Sequence, residues 1–134
     1  MKFLKLLDFR NTKYAFIFLA MIANITWVIV FIDVIIARWM TQGGWASGMD
    51  VAMILGVFLG SAVIGFIVTL IANDGHGPTY GIYGGLAGLV TVVVLVFMSS
   101  ALLAALVGLT AMLGGFNGGM LGEGFRYSRN KNKK

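Results

Sequence analysis

The sequence contains no cysteine, one proline and one histidine, and few of its residues carry a charge. The absence of cysteine excludes disulfides, thiolate metal sites and cysteine nucleophiles. Charged residues make up 11% of the chain, against about 25% in soluble proteins. Hydrophobic residues make up 59% of the chain, and the mean hydropathy is +0.92. We therefore expect an integral membrane protein without a soluble catalytic domain.

The longest stretch without formal charge lies between Asp74 and Glu123, and it is almost continuously apolar from Thr79 to Phe116. A bilayer core of about 30 Å takes ~20 helical residues per crossing. The stretch is therefore too long for one ordinary span and barely long enough for two. A single helix over residues 80–113 would measure about 51 Å and would need extreme tilt. The alternatives are a tight hairpin at residues 98–100 and one long C-terminal helix.

Basic residues cluster at both ends of the chain: Lys2, Lys5, Arg10 and Lys13, then Arg126, Arg129, Lys131, Lys133 and Lys134. Four spans put both clusters on the cytoplasmic side, as the positive-inside tendency prefers, whereas three spans put one cluster on the wrong side. We therefore favour an all-α transmembrane domain of four helices, with three as the alternative. The expected spans are residues 14–36, 51–72, 79–98 and 101–120. Residues 1–13 predict a short interfacial helix, and residues 121–134 predict a basic tail.

Small residues recur at four-residue spacing along the last three expected spans. In lipid, this spacing lets helix backbones approach closely and supplies packing energy. Contacts within one bundle and contacts with another subunit both fit the pattern. The expected packing residues are Gly56, Gly60, Gly84, Gly88, Ala104, Gly108, Gly114 and Gly118. The glycine-rich segment 114–125 lacks the Gly-Lys-Ser/Thr ending of a phosphate-binding loop, and we interpret it as a flexible connector.

A few polar residues are candidates for function. Asp33 is an acid near membrane depth and is a functional suspect for that reason, although the neighbouring Arg38 and Trp39 favour an interfacial position. Asn24 and Thr26 lie deeper, where we expect interhelical hydrogen bonds. His76 is a weak candidate for ligating a haem or a pigment. No accompanying carboxylate or cysteine constellation supports that role, so we expect a loop contact.

The sequence has no Ser-His-Asp arrangement, no paired carboxylates and no HExxH motif, so we predict no enzyme activity and no cofactor or metal. We expect a small non-catalytic accessory subunit of a larger membrane complex, of the electron-transport or photosynthetic kind, in a bacterial or archaeal plasma membrane. Its expected partners are larger membrane subunits, through the Gly/Ala-rich faces, and anionic lipids at the basic termini. We do not expect nucleic-acid binding. The alternative is a small homo-oligomeric transporter or channel that uses Asp33, Asn24 and Thr91.

Overall fold

The computed structural model describes residues 12–44, 48–98 and 100–133. Four helices account for most of them: α1 (Tyr14–Thr41), α2 (Met49–Ala72), α3 (Gly77–Val96) and α4 (Ala101–Lys131). Residues 1–11 of the expected interfacial helix at 1–13 lie outside the described residues, as does Ser99 at the centre of the hairpin.

All four helices are long and apolar enough to cross a membrane. The prediction of an all-helical, multi-pass membrane protein with four spans is therefore confirmed, and the alternative with one long C-terminal span is wrong. The apolar stretch is divided after Val96, where α3 ends, and α4 begins at Ala101. Ser100 caps α4, because its hydroxyl accepts a hydrogen bond from the Leu103 N–H at 3.2 Å. A serine at an N-cap satisfies one of the free N–H groups of the first turn.

The helices form a bundle in which α3 is the most buried element. It packs against α4, α1 and α2, while α2 also packs against α4 and α1. One end of the bundle, here called the basic end, contains the start of α1, the α2–α3 turn and the end of α4. The opposite end, here called the far end, contains the end of α1, the start of α2 and the α3–α4 connection.

The α2–α3 turn is tight because its residues tolerate a left-handed backbone. Asn73 has φ +49° and Gly75 has φ +84°, and asparagine and glycine are the residues that adopt such angles most readily. Pro78 lies in the first turn of α3, where its missing N–H costs no hydrogen bond. These residues allow α2 and α3 to run antiparallel as neighbours.

The glycine-rich segment 114–125 is helical throughout, so its interpretation as a flexible connector is wrong. Its glycines form two adjacent stripes on α4. One stripe lies against the backbone of α2, and the other lies against the backbone of α3. A Cβ atom built on Gly65 of α2 would lie 2.5 Å from the Gly115 carbonyl oxygen, and one built on Gly85 of α3 would lie 2.6 Å from the Met112 Cα. Close backbone packing therefore keeps in a helix a segment whose composition suggests a loop.

Candidate functional site

The expected packing residues make contacts between helices inside the bundle. A Cβ atom at Gly56 or Gly60 would meet the rings of Phe31 or Trp27 of α1. A Cβ atom added at each of the other glycines would also contact neighbouring helices of the same chain. The contact would be with α1 at Gly84, with α1 and α4 at Gly88, with α3 at Gly108, and with α2 at Gly114 and Gly118. Ala104 is buried. These positions therefore hold the four helices together, and the outward faces remain for contacts with other molecules.

Asn24 lies in the bundle interior with 1% of its surface exposed. Its Nδ2 donates to the Ala20 carbonyl of its own helix at 3.0 Å, and its Oδ1 has no hydrogen-bond partner. The expected interhelical hydrogen bond is therefore not seen among the described residues. The side chain faces Gly84 and Gly88 of α3, whose helical N–H groups are already engaged, so the amide bonds locally.

Asp33 lies on the outward face of α1 and is exposed. It is eight residues before the end of the helix at Thr41, which corresponds to about 12 Å of helix. Its carboxylate makes no hydrogen bond or ion pair with the described residues. The structure therefore places an unpaired acid on a surface that is otherwise largely apolar.

Exposed residues on the same face of α1 follow spacings of three and four and form one line, here called the outer stripe of α1. Thr26 precedes Asp33 by seven residues, which is about two helical turns. The members of the stripe are Leu19, Ile22, Thr26, Ile29, Asp33 and Ala37. Two polar residues are thus aligned on one outward face, in the pattern by which helices pack side by side.

The outward face of α2 provides a contrast. Apart from Asp50 in the first turn, the exposed residues of α2 are all apolar, and six of them follow helical spacing. These residues, here called the α2 ridge, are Val51, Leu55, Leu59, Val63, Ile67 and Ile71, each between 47% and 59% exposed. A purely apolar face of this kind suits lipid chains, whereas a charged residue at membrane depth normally faces a partner or a water-filled cavity.

A network of polar side chains, here called the polar junction, ties the basic end together. Tyr80 is fully buried, and its hydroxyl donates to the Asp74 carboxylate and accepts from the Lys13 N–H at 2.9 Å. The Lys13 ammonium donates to the Ala72 carbonyl oxygen at 2.9 Å. The junction therefore fixes the start of α1 to the α2–α3 turn.

The α4 helix joins the same junction from the other side. Arg126 pairs with Glu123 one turn earlier in α4, and its Nη1 lies 3.4 Å from the Asn73 Oδ1 at the end of α2. His76 belongs to the same turn: its N–H donates to the Asp74 Oδ1 at 3.1 Å, and its Nδ1 lies 3.6 Å from that oxygen. Within the described ranges, no group of three His, Cys, Asp or Glu side chains is suited to hold a metal ion. His76 is thus placed in a polar turn beside one carboxylate.

The members of the polar junction other than His76 were missed as site residues by the sequence reasoning. Lys13 and Tyr80 are separated by 67 positions, so no local spacing connects them. A usable signal existed in the Glu123–Arg126 pair, because an acid and a base three residues apart lie on the same helix face. Trp27 was also missed: its indole N–H donates to the Gly56 carbonyl oxygen of α2 at 3.2 Å.

The four apolar helices, joined by short connections, define the chain as a small multi-pass integral membrane protein with a four-helix bundle. No known family model, curated protein sequence or solved structure gives a significant match to this chain.

Proposed function

We propose that the protein is a small non-catalytic subunit of a larger membrane complex and that it binds its partner through the outer stripe of α1. The observation that supports this proposal is the exposed Asp33 on that stripe, which has no hydrogen bond or ion pair with the described residues. A charged side chain costs ~2.5 to 3.5 kcal/mol at the centre of a membrane helix on insertion scales, and Asp33, which is nearer to the helix end, bears part of that cost. Contact with donor groups on a partner helix would offset part of that cost.

The intrachain use of the glycines changes which surface we assign to the partner. The Gly/Ala-rich faces are already in contact with helices of the same chain, so they do not provide the interface. The outer stripe of α1 combines apolar residues with Thr26 and Asp33, whose polar groups can hydrogen-bond across helices. The partner is therefore expected to present a transmembrane helix with a donor or a basic side chain at the depth of Asp33.

The class of complex and the orientation belong to the same proposal. We expect an electron-transport or photosynthetic complex in a bacterial or archaeal plasma membrane, with the basic end in the cytoplasm. Arg129 and Lys131 at the end of α4 and Lys133 just beyond it are exposed and would attract anionic lipid there. An absorption spectrum of the co-purified complex tests its class, because haem and pigments absorb visible light whereas a complex without chromophores does not.

Co-purification from the natural membrane tests the proposed interface. The tagged full chain is extracted in mild detergent and analysed by native mass spectrometry. We expect a defined heteromeric complex with the wild type and with Asp33→Glu, and loss of the partner with Asp33→Leu. Leu59→Ala, on the α2 ridge, is the matched control and should keep the partner.

Two results would contradict the proposal. Recovery of the wild type only as a monomer would remove the partner, and full retention of the partner by Asp33→Leu would exclude the outer stripe as the interface. Recovery of a homo-oligomer that conducts ions in liposomes would favour the channel hypothesis. Asn24 and Asp33 are about two and a half turns apart on α1 and lie on its buried and exposed faces, so one path through a monomer would not contain both.

A further inference from the structure

The far end of the bundle contains a groove with a volume of about 460 Å³. All four helices contribute to its walls, which are mostly apolar. The residues that define this far-end groove are Ile32, Trp39, Ile54, Val96, Leu103 and Leu106, with Asp50 and Ser100 also in the lining. Its size and its mostly apolar lining with a few polar groups are typical of sites for small molecules.

The groove arises because the two ends of the bundle pack differently. Toward the basic end, glycines bring the α4 backbone against the backbones of α2 and α3. Toward the far end, larger apolar side chains such as Ile32, Ile54 and Leu103 line the space between the helices. Ile32 and Val96, which line the groove, are also core residues with at most 4% exposure. The groove therefore reaches the bundle interior.

The lining determines which kind of molecule the groove favours. A stably bound water needs two to four polar partners, and the apolar walls provide few. Filling an apolar space of this size with hydrocarbon restores the dispersion contacts that its walls would otherwise lack. Because the groove lies at one end of four membrane-spanning helices, a lipid acyl chain is the suitable occupant.

Two charged residues near the far-end groove indicate which type of lipid headgroup would fit there. Trp27 and Phe31 of α1 lie over Gly60 and Gly56 of α2, and the same antiparallel register puts Arg38 level with the start of α2. Arg38 is exposed in the last turn of α1, and Asp50 lies in the first turn of α2. Asp50 lines the groove, and Arg38 lies outside the lining at a similar depth, so this end of the bundle has an anion and a cation that complement an ammonium and a phosphate group.

We propose that the far-end groove binds one acyl chain of a zwitterionic phospholipid, with Arg38 near its phosphate and Asp50 near its ammonium group. Trp39 contributes an indole ring at the headgroup level, where tryptophan is favoured. This site is at the opposite end of the bundle from the basic residues that would attract anionic lipid, and it does not depend on the proposed partner interface.

Native mass spectrometry of the detergent-purified full chain tests the proposal. Phosphatidylethanolamine and phosphatidylglycerol with identical acyl chains are the probes. We expect the wild type to retain one phosphatidylethanolamine per chain at least tenfold more strongly than phosphatidylglycerol. Ile54→Trp should reduce this retention at least tenfold, because the larger ring fills the groove. Leu55→Trp places the same ring on the α2 ridge and should retain the lipid like the wild type.

The headgroup assignment has its own variants. Arg38→Gln and Asp50→Asn should each reduce the preference for phosphatidylethanolamine over phosphatidylglycerol, and the groove should still bind the acyl chain of either lipid. Equal retention by Ile54→Trp and Leu55→Trp would overturn the groove as the site. Equal retention of the two lipids by the wild type would overturn the zwitterionic assignment.

A second measurement covers the case in which Ile54→Trp does not fold. The wild type is reconstituted in vesicles of phosphatidylethanolamine whose acyl chains carry a photoreactive diazirine in the part nearest the headgroup. We expect crosslinks at Ile54 and Leu103 in addition to those on the α2 ridge. Crosslinks confined to the α2 ridge would overturn the proposal, because they would indicate ordinary boundary lipid.

Discussion

At the scale of single residues, the glycines of α4 show how the same residue type has different roles at different positions. A Cβ atom on Gly118 would collide with the backbone of α2 around Ala62, whereas one on Gly124 would have no atom of the other described helices within 4 Å. Gly118 is therefore required by the close approach of two helices. Gly124 is exposed and faces away from the other described helices, so its lack of a side chain serves no packing purpose within the bundle.

Gly118→Ala should destabilise the protein by about 1 to 3 kcal/mol, the usual cost of overpacking. Gly124→Ala is the matched control and should leave stability unchanged or raise it by ~0.5 to 1 kcal/mol, because alanine loses less backbone entropy in a helix. The free energy of unfolding is measured by titration with a denaturing detergent, followed by circular dichroism. Equal stability of the two variants would mean that the α2–α4 backbone contact does not limit stability.

At the scale of elements, the attachment of α1 to the bundle combines apolar packing with a network of hydrogen bonds at its start. It packs on α2 and α3, and its start is tied to them by the polar junction. Tyr80 accepts from the Lys13 N–H and donates to Asp74, so one buried side chain joins α1, the α2–α3 turn and α3. The attachment of α1 at the basic end therefore depends on hydrogen bonds as well as on apolar packing.

Tyr80→Phe removes both hydrogen bonds of the hydroxyl while keeping the ring. The expected loss is about 1 to 3 kcal/mol, because the Asp74 carboxylate and the Lys13 N–H lose a partner. Tyr127→Phe, whose ring is 71% exposed, is the control and should change stability by less than ~0.5 kcal/mol. Hydrogen exchange at the first turn of α1 gives a local readout. Unchanged exchange there in Tyr80→Phe would contradict the proposed role of the junction.

At the scale of the whole molecule, the four helices place the start of α1 and the end of α4 at the same end of the bundle. The hydrogen bonds that join Lys13 to Ala72 and Arg126 to Asn73 connect those two segments through the same turn. Gln42, at the end of α1, lies at the opposite end. If the bundle spans a bilayer, these two sets of residues face opposite compartments.

Cysteine labelling tests this topology in an otherwise unchanged chain, because the sequence has no native cysteine. Gln42 and Ser128 are both exposed, and each is replaced by cysteine in a separate variant, Gln42→Cys and Ser128→Cys. In sealed vesicles, a membrane-impermeant maleimide should label one of them directly and the other only after permeabilisation. By the positive-inside tendency we expect Ser128 on the cytoplasmic side. Labelling of both positions from the same side would contradict the four-span arrangement.

Much of the fold could be predicted because its causes are local. Hydrophobic length predicted a multi-pass membrane protein and left three and four spans open, and the basic clusters favoured four. The helical state of residues 114–125 could not be predicted in this way. Glycine favours flexibility in isolation, and only the neighbouring backbones of α2 and α3 make its small size an advantage.

The residues of the candidate site could also be predicted only in part from the sequence. Asp33 and Asn24 could be selected from the sequence, since polar residues in apolar spans are uncommon. Their directions could not, because the sequence did not show which face of α1 would be covered by α2 and α3. The residues of the polar junction could not be connected by sequence reasoning, since Lys13 and Tyr80 are 67 positions apart in the chain.

The sequence by itself determined that the chain is a multi-pass membrane protein of three or four spans, because the cost of exposing polar backbone to lipid depends on the length and polarity of each segment. The tertiary structure decided for four. Only the tertiary structure decided that the glycines face inward, that Asn24 is buried and that Asp33 faces outward. The far-end groove likewise exists only in the folded chain. These features depend on how the helices are rotated and tilted against each other, and that is set by packing between residues distant in the chain.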